Sequence, residues 1–137
     1  MTTPLEGALI DWEVCGRLRA ELGADFARIL GYFREDGVRS VGAIEAAVRA
    51  QRATALVVPA HTLKGEAWQF GAEPLATLAE AIEMIGRDCV ERHEAPIEAV
   101  EHVARLRPLF DATLALLQRE ADAVVVRRPM GIGRRLG

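Results

Sequence analysis

Apolar residues recur along most of the chain at spacings of three and four, which is the pattern of amphipathic α-helices. Glycine, proline and Asp-Gly pairs interrupt this pattern at intervals, and we interpret each interruption as a helix end or a bend. Asp11 and Ser40 are the predicted N-caps, and Asp36-Gly37 is a predicted break or bend between the second and third segments. The pattern predicts helices over residues 11–22, 25–35, 40–51, 53–70 and 73–92, followed by a long helix that Pro96 opens.

The lengths of these segments predict an all-α fold, an antiparallel four-helix bundle in up-down order with a short extra N-terminal helix. Residues 1–9 form a lead-in, and residues 10–122 form the helical domain. Residues 123–137 contain four arginines and three glycines, which is typical of a mobile basic tail. Pro59 and Pro108 fall inside helical patterns, so we expect a bend at Pro59 and a kink or an interruption at Pro108.

Composition places the chain among ordinary globular proteins. The 137 residues carry a net charge of -3, half of them are hydrophobic and only 5% are aromatic. The acidic balance, with a pI of 5.6, argues against binding nucleic acid through net charge. The apolar runs are too short to span a bilayer, and the N-terminus lacks the basic region of a secretory signal. Cys15 and Cys89 occupy apolar helical positions, so the sequence predicts a cytoplasmic protein with buried thiols that binds neither nucleic acid nor membranes.

The main candidates for functional residues lie in the predicted helix 53–70. On that helix His61, Lys64, Gly65 and Trp68 share one flank, because neighbours on a helix surface are three and four residues apart. Lys64 is the only lysine among 17 basic residues. Glycine inside a helix costs roughly 1 kcal/mol relative to alanine, so we interpret Gly65 as giving a large partner access to the imidazole. Trp68 is either half-buried packing or a docking anchor.

The following helix adds a carboxylate to this flank. Residues 61 and 83 lie equally far from the turn near residue 72, so an antiparallel hairpin places Glu83 level with His61. A carboxylate there can accept a hydrogen bond from Nδ1–H, which fixes the tautomer and leaves Nε2 as the nucleophile. Glu80, one turn away, is the competing candidate. Glu83 also has the simpler alternative of pairing only with Arg87.

The pattern His-x-Leu-Lys-Gly-x-Ala-x-x-x-Gly-Ala, followed by an amphipathic helix, resembles the histidine-containing phosphotransfer (HPt) family of two-component phosphorelays over about residues 10–120. The resemblance implies that His61 is the phosphoacceptor, that Lys64 steadies the phosphoryl oxygens and that Gly65 clears the docking surface. Glu83 corresponds to the residue that orients the histidine in some family members. Glu66 and Trp68 depart from the pattern, because the family usually has small residues there.

The resemblance also implies the partners, which are receiver domains of response regulators and hybrid histidine kinases. Trp12, Val14, Leu18 and Trp68 are candidate docking residues beside His61. This chain is expected to act as a monomer, to hold no cofactor and no metal, and to rely on Mg²⁺ in the receiver. It lacks a Gly-rich nucleotide motif, so we expect a phosphate carrier without ATP-dependent kinase activity of its own.

Two other functions are compatible with a helical bundle. The first is a non-catalytic adaptor that binds receiver domains or partner helices without phosphate. The second is a metal carrier that would use His61 with Glu83 and Glu80. Neither a Glu-x-x-His motif nor paired histidines support a closed metal site, so this function ranks last.

Overall fold

The computed structural model describes the backbone of residues 9–136 and the side chains of residues 9–123. The described part of the chain is all-α. The four long helices form the predicted antiparallel bundle, and the short helix α1 precedes them. In this bundle α3 packs against α2 and α4, and α5 packs against the same two helices. The helices are α1 Trp12–Leu22, α2 Phe26–Arg49, α3 Thr54–Gln69, α4 Glu73–Arg92 and α5 Val100–Leu136, with 3-10 turns at Gly23–Asp25 and Ile97–Ala99.

The short helix α1 is attached to the turn that joins α3 to α4. The Asp11 side chain caps α1 as predicted, accepting hydrogen bonds from the backbone N–H groups of Glu13 and Val14. The Asp11 N–H donates to the carbonyl of Gly71 at 2.7 Å. Gly71 has a positive φ of 77°, and a Cβ there would lie 2.7 Å from the Asp11 carbonyl oxygen. Glycine is therefore required at this position for both the turn and the close approach of α1.

A break at Asp36-Gly37, one of the two predicted alternatives, is wrong, because α2 continues without interruption from Phe26 to Arg49. A Cβ on Gly37 would lie 2.5 Å from Cζ of Phe110 on α5. Gly37 therefore makes room for an aromatic ring from the opposite helix instead of ending its own helix. The predicted N-cap role of Ser40 is wrong for the same reason, since Ser40 is buried in the middle of α2.

The core is formed by one stripe from each helix. The stripe of α3 is Ala60, Leu63 and Ala67, all fully buried, and it leads into Phe70. The Phe70 ring lies 5.1 Å from Phe33 and 5.9 Å from Phe26, between ring centroids. These aromatic contacts fix the end of α3 against α2. The opposite flank of α3, which carries His61, is left at the surface.

Neither internal proline ends a helix. Pro59 lies inside α3, and Pro108 lies inside α5, so the predicted interruption at Pro108 does not occur. The α5 backbone includes residues 123–136 of the predicted tail. The side chains of residues 124–137 and the lead-in residues 1–8 lie outside the described part of the chain. Within the described part, no helix is long and apolar enough to cross a bilayer.

Candidate functional site

The site is built on the hairpin of α3 and α4, whose connecting turn lies at residues 70–72. His61 stands on the outward flank of α3, and its side chain is 61% exposed. Glu83 stands on the flank of α4 that faces α3, and its side chain is only 5% exposed. An exposed imidazole therefore lies directly above a buried carboxylate.

Three side chains surround the carboxylate of Glu83. His61 Nδ1 lies 3.0 Å from Oε2, and Lys64 Nζ lies 2.9 Å from Oε1. Arg87, one turn further along α4, donates to Oε2 from Nε at 3.0 Å and from Nη2 at 2.7 Å. The predicted register of Glu83 with His61 is confirmed by this contact. Glu80, the competing candidate, is exposed on the next turn of α4.

Glu83 keeps its negative charge despite its burial. Burial raises the pKa of a carboxyl group, but the hydrogen bonds from Lys64, Arg87 and His61 outweigh this effect and lower the pKa of Glu83 to about 2. An ionised carboxylate only accepts hydrogen bonds, so the ring nitrogen that faces it must carry a proton. In the neutral ring, Nδ1 therefore holds the hydrogen and Nε2 keeps the free lone pair.

From the sequence alone, pairing of Glu83 with Arg87 was an alternative to a role of Glu83 in orienting His61. The structure shows both contacts at once, on the same oxygen of Glu83. The signal was present in the sequence, because Glu and Arg four residues apart on a helix commonly pair. What the sequence did not indicate is that His61 and Arg87 meet at one atom.

The surface around His61 is open and partly apolar. A Cβ on Gly65 would meet no atom within 4 Å, so the glycine leaves free space above the helix. Trp68 on α3 and Trp12 on α1 expose 44% and 41% of their surface. Val14 is half-buried against Gly71, and Leu18 belongs to the core. Of the four candidate docking residues, the two tryptophans thus offer the accessible surface, and Leu18 does not.

The alternative function of a metal carrier requires a group of side chains that can bind one ion together. Among the described residues, no three His, Cys, Asp or Glu side chains are placed to hold one ion. Cys15 and Cys89 are free, buried thiols in separate helices, as the sequence predicted.

The fold is a small helical bundle that presents an exposed histidine beside a buried carboxylate. The Hpt domain family model matches residues 28–124, so the chain belongs to the Hpt domain family. Among solved structures, the fold is similar to histidine-containing phosphotransfer protein B (HptB) from Pseudomonas aeruginosa PAO1. That similarity has a TM-score of 0.75 and 22% sequence identity, and it covers 89% of this chain and 98% of that chain. No curated protein matches the sequence.

Proposed function

We propose that this chain is a cytoplasmic phosphorelay intermediate in which His61 accepts a phosphoryl group from a receiver aspartate and passes it to another. The observation that carries the proposal is the contact of His61 Nδ1 with the ionised Glu83. It orients the ring and makes Nε2 the nucleophile in the neutral imidazole. Family membership supports phosphotransfer in general, and the site geometry supports His61 as the acceptor.

The chemical step follows from this orientation. The lone pair of Nε2 attacks phosphorus, the bond between phosphorus and the aspartyl oxygen breaks, and the receiver aspartate leaves as a carboxylate. The ring then carries the phosphoryl group on Nε2, a proton on Nδ1 and one positive charge. Glu83 faces the protonated nitrogen and stabilises that charge. Transfer to the next receiver is the reverse reaction with a new aspartate.

Lys64 and Arg87 both compensate the charge of Glu83, but only Lys64 also serves the phosphoryl group. In the unphosphorylated protein, Lys64 is paired with Oε1 of Glu83. Arg87 makes two hydrogen bonds to Oε2 and continues to compensate Glu83 when Lys64 turns toward the phosphoryl oxygens. A flexible ammonium is suited to a group that arrives and leaves, whereas a planar guanidinium is suited to a fixed partner.

The partners are receiver domains of response regulators and hybrid histidine kinases, and Mg²⁺ belongs to the receiver. Docking uses the open surface at Gly65 and the exposed tryptophans, with a buried area near the low end of about 1,200 Å² that transient complexes have. The chain acts as a monomer and a carrier, without ATP-dependent kinase activity.

Labelling with a phosphorylated receiver tests the proposal. We expect the wild type to acquire phosphate that is labile in acid and stable in base. The variant His61→Gln should acquire none, because the nucleophilic nitrogen is removed. His102→Gln is the matched control, since His102 lies on α5, outside the site, and it should label as the wild type does. Equal labelling of His61→Gln, or no labelling of the wild type, would overturn the proposal. Binding of the receiver without labelling would indicate the adaptor function instead.

A further inference from the structure

The helices α3 and α4 approach each other closely at Gly86, one helical turn away from the site. Gly86 is buried on the face of α4 that packs against α3. A Cβ at this position would lie 3.1 Å from Cβ of Leu56 and 3.3 Å from Cγ2 of Val57, both on α3. Carbon atoms in ordinary contact are about 3.5–4.0 Å apart. The two helices therefore lie closer at this level than a side chain on residue 86 permits without movement.

This close approach is next to the contact between His61 and Glu83. On α4, Glu83 lies three residues before Gly86, and on α3, His61 lies four residues after Val57. Residues three and four apart are neighbours on a helix surface. Packed helices are stiff over a single turn and transmit strain along it. A change in the separation of the helices at Gly86 therefore changes the distance between Glu83 and His61.

The three side chains that surround Glu83 respond differently to such a change. Arg87 belongs to α4 and moves together with Glu83. Lys64 reaches across from α3 on a flexible four-carbon stem, which can follow the carboxylate. The side chain of His61 is short, and its Nδ1 atom lies 3.0 Å from Oε2, which is the usual length of a hydrogen bond from nitrogen to oxygen. Separating the helices by a few tenths of an ångström therefore releases His61, while Glu83 keeps its other two partners.

We propose that Gly86 is a positioning residue, which holds α3 and α4 close enough for Glu83 to fix the imidazole of His61 with its hydrogen on Nδ1. The effect on the tautomer stands on the geometry alone, and its consequence for phosphate transfer rests on the proposed function. Without the contact to Glu83, the ring is free to rotate and to carry its hydrogen on Nε2 instead. In that tautomer Nε2 has no lone pair with which to attack phosphorus.

Nitrogen NMR of the imidazole ring tests the tautomer without any transfer reaction. In the full chain labelled with ¹⁵N, in alkaline buffer where histidine is neutral, His61 of the wild type should show a protonated Nδ1 and an unprotonated Nε2. In Gly86→Ala the ratio of the Nδ1–H to the Nε2–H tautomer should fall about fivefold or more, which is the factor that one typical hydrogen bond contributes. An unchanged ratio in the folded variant would overturn the proposal, as would a wild type with its hydrogen on Nε2.

Gly42→Ala is the matched control, because it makes the same substitution where a Cβ would meet no atom within 4 Å. Ile82→Val controls for lost stability, since Ile82 is a fully buried residue of α4 and the change adds no atom between the helices. Both variants should keep the wild-type tautomer ratio. An equal fall in Ile82→Val would mean that loosening of the core, and not the separation of the helices, releases the imidazole. If Gly86→Ala does not fold, the double variant with Val57→Ala carries the test, because the 3.1 Å contact with Leu56 remains.

The link to transfer is tested by separating the maximal rate from the apparent affinity for the receiver. We expect Gly86→Ala to lower the maximal single-turnover rate from a phosphorylated receiver by about tenfold or more, because misplacing a reacting group is costly. The half-saturating receiver concentration should not change, since Gly86 is buried and the docking surface is untouched. A wild-type maximal rate, or a change in the half-saturating concentration alone, would overturn the link to transfer. If the wild type accepted no phosphate, the proposed function would fail, while the tautomer ratio would still decide the positioning role.

Discussion

The side chain of Glu83 connects folding stability and reactivity at the scale of single residues. It is nearly inaccessible to water, yet it is ionised, because His61, Lys64 and Arg87 all point donors at its two oxygens. Removing a partner from such a group leaves a buried charge without compensation, which is usually costly. The arrangement thus stabilises the hairpin of α3 and α4 and orients the imidazole with the same atoms.

Acid unfolding should report on Glu83. Its pKa in the folded protein, about 2, lies below the ordinary 4.5, so its contribution is complete above pH 4.5 and is lost as the pH falls through about 2. We expect Glu83→Gln to lower the free energy of unfolding at pH 7 by on the order of 3 kcal/mol. The difference from the wild type should shrink as the pH falls from 4.5 toward 2. Urea unfolding of both proteins at several pH values measures it.

Glu45→Gln is the comparison for this experiment. Glu45 is also paired with an arginine, but the pair is exposed, and exposed pairs contribute about 0–1 kcal/mol. Its effect should be small at every pH. A Glu83→Gln difference that did not change with pH would mean that the charge of Glu83 does not stabilise the fold.

At the scale of secondary-structure elements, Gly37 shows that a glycine inside a helix can be mistaken for the end of that helix. Glycine after aspartate is typical of a turn, and the sequence predicted a break or bend at Asp36-Gly37. The helix instead continues through Gly37, and the ring of Phe110 fills the space that a side chain there would take. Packing between helices decides the role of this glycine, and hydrophobic periodicity within one helix does not reveal it.

Gly37→Ala should therefore destabilise the protein, although glycine-to-alanine changes inside a helix normally stabilise by about 1 kcal/mol. The new Cβ would collide with the buried ring of Phe110, and overpacking of a core typically costs about 1–3 kcal/mol. Thermal or urea unfolding measures the change.

Gly42→Ala is the control in the same helix, because a Cβ at Gly42 would meet no atom within 4 Å. This variant should be more stable than the wild type. Combining Gly37→Ala with Phe110→Leu should recover part of the loss, since a smaller side chain vacates the space. Stabilisation by Gly37→Ala alone would refute the packing role.

The elements differ in how well the sequence predicts them. The bounds of α3 and α4 agree with the expected ones to within a residue, because Gly71 and Pro74 mark the turn between them and each helix has a clear apolar stripe. The contact of Glu83 with His61 follows from that turn. The continuity of α2 through Gly37 does not follow, because it depends on how Phe110 of α5 packs against that glycine.

At the scale of the whole molecule, the proposed function requires a surface that a second protein can approach. Gly65 lies at the centre of this surface, and the space above it is empty in the isolated chain. Glycine has a low helix propensity, so under the proposed function Gly65 trades a little helix stability for access by a partner. Stability and transfer should therefore respond in opposite directions when this residue changes.

Gly65→Gln should raise the free energy of unfolding by up to about 1 kcal/mol, because glutamine is a better helix former. The same change should slow transfer from a receiver by about tenfold or more, since small displacements of reacting groups have large effects on rate. Stopped-flow or gel-based transfer assays, together with urea unfolding, measure both quantities.

Gly42→Gln provides the matched substitution away from the site, where the position of Cβ is equally open. It should raise stability without changing transfer. If Gly65→Gln transferred phosphate at the wild-type rate, the glycine would not be needed for access, and the free space above it would have no role in docking.

The turn at residues 70–72 also has a consequence for the order of folding. The groups that hold the imidazole, from His61 to Arg87, belong to one hairpin that this turn closes. Short loops have a small entropy of closure, and contacts between neighbouring segments form faster than distant ones. The geometry that holds the imidazole can thus assemble before α5 completes the bundle. In this sense the groups that hold the imidazole form a local unit of the chain.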